Sequence, residues 1–183
     1  MVWLILLFSV LLLIPSVSAQ DPLIRINEVL YYPDPTDSAP GECKRSDGVL
    51  DTPKFEWIEL KNLSSYEVNL KNWKLSDSTY GTSNQYIDQI KEDFILKPGE
   101  LGVISSYDSC FLALYPDFNG KMYSLESYIG NGLNNSSDKV YLIDSSGNVV
   151  WDLSYDSTTI YARKGQSLSY MENQGYIAST PSP

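Results

Sequence analysis

Histidine is absent from this chain, and cysteine occurs only twice, at Cys43 and Cys110. No Cys-x-x-Cys pair exists. Zinc sites, haem ligation and histidine-based acid–base catalysis all draw on those side chains, so these chemistries are nearly excluded. Positive charge is also scarce: 13 Lys and Arg stand against 23 Asp and Glu, for a net charge of −10. Binding to nucleic acid or to anionic lipid depends on basic residues neutralising phosphates, so neither is expected as a partner. The first 19 residues lack charged side chains altogether. Beyond Gln20, no window keeps a helical period for more than two turns, which argues against a helical fold.

What is present starts with that apolar N-terminus. Val2 to Val17 forms a continuous hydrophobic run ending Val17-Ser18-Ala19, a small-residue site before Gln20. Residues 1–19 therefore read as a signal peptide or, if uncut, a membrane anchor. In both cases residues 20–183 are expected to be secreted or on the extracellular face, touching a membrane only through a retained N-terminal segment. An even cysteine count in an exported chain suggests a Cys43–Cys110 disulfide. Residues 20–183 are enough for one domain.

Period-two alternation recurs along this stretch. Leu23 to Tyr31 reads as a strand with Ile24, Ile26 and Glu28 on one side. In Glu56 to Lys61, Ile58 and Leu60 alternate with Trp57 and Glu59. Further strands are expected at Glu67–Leu70, Trp73–Ser76, Phe94–Leu96 and Leu101–Ile104, with a Pro98-Gly99 turn before the last. The clearest hairpin joins Lys139–Asp144 to Val149–Tyr155 through Ser145-Ser146-Gly147-Asn148. Gln166–Met171 is taken as the final strand, and Ser109–Tyr115 as a single helical insertion. Pro33–Pro53 reads as a loop insertion, with four prolines, four aspartates and Glu42. Tyr128–Asp138, rich in Gly, Asn and Ser, reads as a second loop. Short strands at regular intervals with turns between them predict an all-β sandwich.

The strands also spell a pattern. Ile26-Asn27-Glu28-Val29, Glu56-Trp57-Ile58-Glu59-Leu60-Lys61-Asn62 and Val68-Asn69-Leu70-Lys71-Asn72-Trp73-Lys74-Leu75-Ser76-Asp77 resemble the lamin-tail domain of prokaryotic secreted proteins. Leu96-Lys97-Pro98-Gly99-Glu100, Asp138 to Asp144, Gly147 to Val150 and Gly165 to Leu168 continue the resemblance, which runs from about Ile24 to Pro183. It implies an immunoglobulin-like β-sandwich without catalytic residues, used in adhesion, scaffolding or attachment. Asn27, Glu28, Glu56, Trp57, Glu59 and Trp73 fall in its motifs as structural residues. The Pro33–Pro53 insertion exceeds the usual short connection.

Three sets of residues are candidates for something more. Glu28, Glu56 and Glu59 could act as paired carboxylates on a polysaccharide, although no nucleophile or oxyanion donor accompanies them. Asp34, Asp37, Asp47 and Asp51 could offer oxygens to calcium, without the ligand order of an EF-hand. Asn62, Asn134 and Asn135 head glycosylation sequons in turns. The leading expectation is a non-enzymatic extracellular binding or structural module attaching to protein or to a cell-surface polymer. A calcium-stabilised surface domain and a polysaccharide-active enzyme are the alternatives.

Overall fold

A computed structural model describes residues 23–82 and 86–183; the leader or anchor expected at 1–19 lies outside them. Among the described residues the chain forms twelve strands and one α-helix. In order they are β1 (Ile24–Leu30), β2 (Trp57–Asn62), β3 (Val68–Asn69), β4 (Lys74–Ser76), β5 (Ile87–Gln89) and β6 (Ile95–Leu96). β7 (Leu101–Ser105), helix α1 (Asp108–Leu114), β8 (Met122–Ser124), β9 (Ser137–Ile143), β10 (Val149–Asp156), β11 (Ser167–Met171) and β12 (Gly175–Ser179) follow. One sheet has the order β12-β11-β1-β2-β7-β8, a second β10-β9-β4-β5, and β3 pairs with β6 as a small third sheet. Every pairing is antiparallel except β7 with β8.

The core lies between the two larger sheets, as period-two patterning requires. Ile24, Ile26, Val29, Ile58, Leu60, Ile104 and Leu168 face Leu75, Val140, Leu142, Leu153 and Tyr155. Each such aliphatic side chain, fully buried, contributes about 1.5–3 kcal/mol relative to exposure. Tyr31 stacks on Tyr155 across the gap, with ring centroids 3.9 Å apart. Both hydroxyls are satisfied, Tyr31 donating to the Ala162 carbonyl and Tyr155 to that of Asn134.

Two expectations need correction here. Glu28 does not share a side with Ile24 and Ile26. A bulge between Ile26 and Glu28 inserts one residue against β2, so Val29 takes the next inward position and Glu28 turns to the outer face. Gln166–Met171 is not the last strand either. Asn173 adopts φ +67° in a turn, closed by Gln174 N–H donating to the Met171 carbonyl, and β12 returns along β11. In the late hairpin Gly147 alone takes positive φ; Asn148 instead donates to the Asp144 carboxylate.

The outer face of the six-stranded sheet is half covered. Trp57 points outward from β2 yet is fully buried, because α1 and the segment after it lie on top. Its indole meets Phe111 and Tyr115 edge-on and donates to the Tyr115 hydroxyl. Cys110 of α1 is bonded to Cys43, with Cα atoms 5.6 Å apart. That bond ties the helix to the Pro33–Pro53 segment, which contains a 3-10 turn at Gly41–Cys43 and leads into another at Thr52–Phe55. Ala39, Cys43, Phe55 and Cys110 form a separate buried cluster, so this insertion is packed rather than loose.

Candidate functional site

The three motif glutamates are all buried, with 1–2% of their surface exposed, and they do different things. Glu28 accepts hydrogen bonds from the Ser167 hydroxyl and from the backbone N–H and hydroxyl of Ser182. Glu56 accepts from the backbone N–H of Leu133 at 3.0 Å. Glu59 stands opposite Glu28 across the β1–β2 pair and, among the described residues, receives one bond, from the Asn27 side-chain amide at 2.6 Å. Asn27 is oriented in turn by Arg25, which donates to its carbonyl oxygen and stacks on the Tyr170 ring at 3.9 Å. Burial pushes the Glu59 carboxyl up to about 6; the Asn27 bond and Lys61 oppose that rise, and Glu28 adds to it. The same desolvation lifts Glu56 well above the ordinary range against the Leu133 bond, with Asp138, Asp77 and Asp51 adding repulsion.

Glu56 belongs to a wider arrangement that sequence reading missed. The Gly-, Asn- and Ser-rich stretch before β9 is held by carboxylates. Asp88 accepts from the Ser127 hydroxyl and the Gly130 N–H, and Asp77 from the Asn131 N–H. Asp138 accepts from the N–H groups of Asn134 and Ser78, and Asp51 from the Tyr128 hydroxyl. A segment without secondary structure must find partners for its amides somewhere, and carboxylates make strong acceptors. Much of the acidity at this end therefore faces inward. The clue available in the sequence was Asp77 and Asp138 bordering turn-forming stretches, where Asp caps local backbone.

The aspartates expected to gather calcium are dispersed. Asp34 pairs with Lys164 at 2.7 Å, and Asp47 with Arg45 at 3.7 Å. Asp51 is engaged by Tyr128 and Lys54, while Asp37 contributes its backbone carbonyl to Lys44. Among the described residues, no three acidic or cysteine side chains are grouped to hold a metal ion. The calcium expectation is corrected accordingly: nearby lysines and arginines, and the rigid turns of the insertion, hold these side chains apart.

The sequons separate as well. Asn62 is fully buried; its amide donates to the carbonyls of Tyr66 and Leu96, and its oxygen accepts from the Ser64 N–H and hydroxyl. A glycan on that nitrogen is incompatible with the fold, so Asn62 is a structural residue. Asn134 and Asn135 are exposed, with the Asn134 oxygen accepting from Ser136. Of the tryptophans, Trp57 and Trp73 are core residues, and half-buried Trp151 donates to the Tyr176 hydroxyl at 2.8 Å.

Beside Glu59 the outer sheet face is open. A cavity of about 300 Å³ is bounded by Glu59, Leu101, Val103, Phe118, Asp117 and Lys121 among others. Two sheets packed face to face around one core are the architecture of an immunoglobulin-like β-sandwich. The model of the Lamin Tail Domain family matches residues 18–157, and the chain belongs to that family. β11 and β12 lie beyond the matched residues. Comparison with curated proteins finds no match.

Proposed function

We propose that this chain is a non-enzymatic module held outside the cytoplasm, where it attaches to a protein or a cell-surface polymer. The engagement of the motif glutamates carries this reading. Glu28 accepts from the backbone N–H of Ser182 and Glu56 from that of Leu133, and Glu59 is held by Asn27, so the three motif glutamates serve as hydrogen-bond acceptors within the fold rather than as the paired acid and base of glycoside hydrolysis. Membership of an immunoglobulin-like family supports the same role. The Cys43–Cys110 bond supports an oxidising compartment, since cytosolic thiols are kept reduced. An acidic surface disfavours nucleic acid and keeps the module soluble.

The test is expression of the full chain in its native host, with fractionation, thiol alkylation and capture of surface material. Recovery from the surface or medium, oxidised and bound to a protein or polymer that it leaves uncleaved, is expected. Recovery from the cytosol with free thiols, or cleavage of the captured polymer, would overturn the reading.

A further inference from the structure

Glu59 is 2% exposed and uses only one of its two carboxylate oxygens: Oε1 accepts from Asn27 at 2.6 Å, and Oε2 has no hydrogen-bond partner among the described residues. The free oxygen belongs to a side chain on the wall of the cavity described above. Oε2 itself is not fully buried; it keeps an opening to solvent, through which a cation can pair with this largely desolvated carboxylate. Lys121 on the cavity wall is already held by Glu100 at 3.0 Å and by the Ile95 carbonyl, and Lys61, whose charge opposes the Glu59 rise, makes no ion pair with Oε2 among the described residues. Leu101, Val103 and Phe118 supply apolar walls, and Asp117 adds a second acid. The volume of about 300 Å³ is at the small end for ligand sites, large enough for a side chain or a small amine.

We propose that this cavity binds an alkylammonium group, such as a lysine side chain presented by a partner protein, with its stem against Leu101, Val103 and Phe118 and its ammonium on Glu59 Oε2. The geometry selects ammonium over guanidinium. Guanidinium is recognised best by two parallel bonds to both oxygens of a carboxylate, and the Asn27 amide already takes one acceptor site of Oε1 and crowds the approach to it. An ammonium is a compact point charge that needs only the other. The Arg25–Asn27 contact holds Asn27 on Oε1 and leaves Oε2 for the incoming group. The proposal rests on the chain being a binding module, and it names the chemistry that one of its surfaces recognises.

The test is a titration of the oxidised protein, followed by amide NMR, with n-butylammonium, n-butylguanidinium and n-butanol as probes. Saturable shifts at Gly102, Val103 and Gly120 are expected with butylammonium, at least tenfold weaker with butylguanidinium and weaker still with butanol. Glu59→Gln keeps an oxygen for Asn27 and is expected to weaken butylammonium binding at least tenfold with the rest of the spectrum unchanged. Leu101→Trp, at a half-exposed position, fills the cavity and is expected to abolish binding by a route that leaves Glu59 intact. Equal binding of butanol, or binding that survives both substitutions, would overturn the proposal. Absence of any saturable shift with butylammonium would also overturn it, while capture of a surface partner would still uphold the attachment role.

Discussion

Replacing Glu59 by Gln should stabilise this protein at neutral pH and leave its stability at acid pH unchanged. Its carboxyl sits at about 6 in the fold against an ordinary value of 4.5, chiefly because burial disfavours the charged form. The folded state therefore holds a proton there that the unfolded state has lost, and stability falls as pH rises through the window between 4.5 and 6. At roughly 1.4 kcal/mol per pH unit, the ionised side chain costs the fold about 2 kcal/mol above pH 7. Gln keeps the acceptor for Asn27 and does not titrate. Urea unfolding of the two oxidised proteins between pH 4 and 8 should give equal stabilities at pH 4 and a gap growing to about 2 kcal/mol in favour of the variant at pH 8. Taking the difference between the proteins cancels Glu56 and Asp88, which burial also lifts. A variant less stable than the parent at pH 8, or a gap independent of pH, would refute the reasoning. A carboxylate kept at such a cost is what a cation-binding surface would require, since sites for function are often made at the expense of stability.

Three further outcomes are expected. Reducing the Cys43–Cys110 bond, which closes a 67-residue separation, should lower stability by about 4 kcal/mol on the chain-entropy account, read as a drop in the urea midpoint; an unchanged midpoint would contradict it. Gly130 has φ +63°, and a Cβ there would lie 2.5 Å from the Asp77 carboxylate. Gly130→Ala should therefore cost about 2 kcal/mol or more, with the thermal midpoint falling and the amide exchange of Asn131 and Leu133 accelerating. Asn62→Ala leaves the buried Leu96 carbonyl without its side-chain donor and should cost about 2 kcal/mol, while peptide mass mapping of the native protein should find Asn62 unmodified.

Much of the strand content was legible because one side of each strand meets the core and period two survives in the sequence. The alternation of Ile58 and Leu60 with Trp57 and Glu59 was legible in Glu56–Lys61, and the structure turns the first pair inward. The helix at Asp108–Leu114 was also visible as an interruption of that alternation. The bulge at Asn27 was not, because an extra residue in β1 is defined only against the pairing of β2. β12 was missed because its turn, at Glu172–Gln174, carries a weaker Asn signal than the Asn-Gly or Asp-Gly pairs of ordinary hairpins.

The site shows the same division. Glu59 stood out as a motif carboxylate, but the free oxygen and the neighbouring cavity depend on Val103 from β7 and Phe118 from the segment after α1, which no local pattern connects to it. Asp77, Asp88 and Asp138 carried no distinguishing pattern as acceptors for a loop, and that role appears only when the loop they hold is folded onto them. Composition alone excluded histidine chemistry, opposed nucleic acid as a partner and pointed to one β-rich domain, since these follow from which side chains exist and how they alternate. Which acids are buried, which are paired and which faces an opening were decided by tertiary structure, because desolvation and hydrogen bonding depend on neighbours that are distant along the chain.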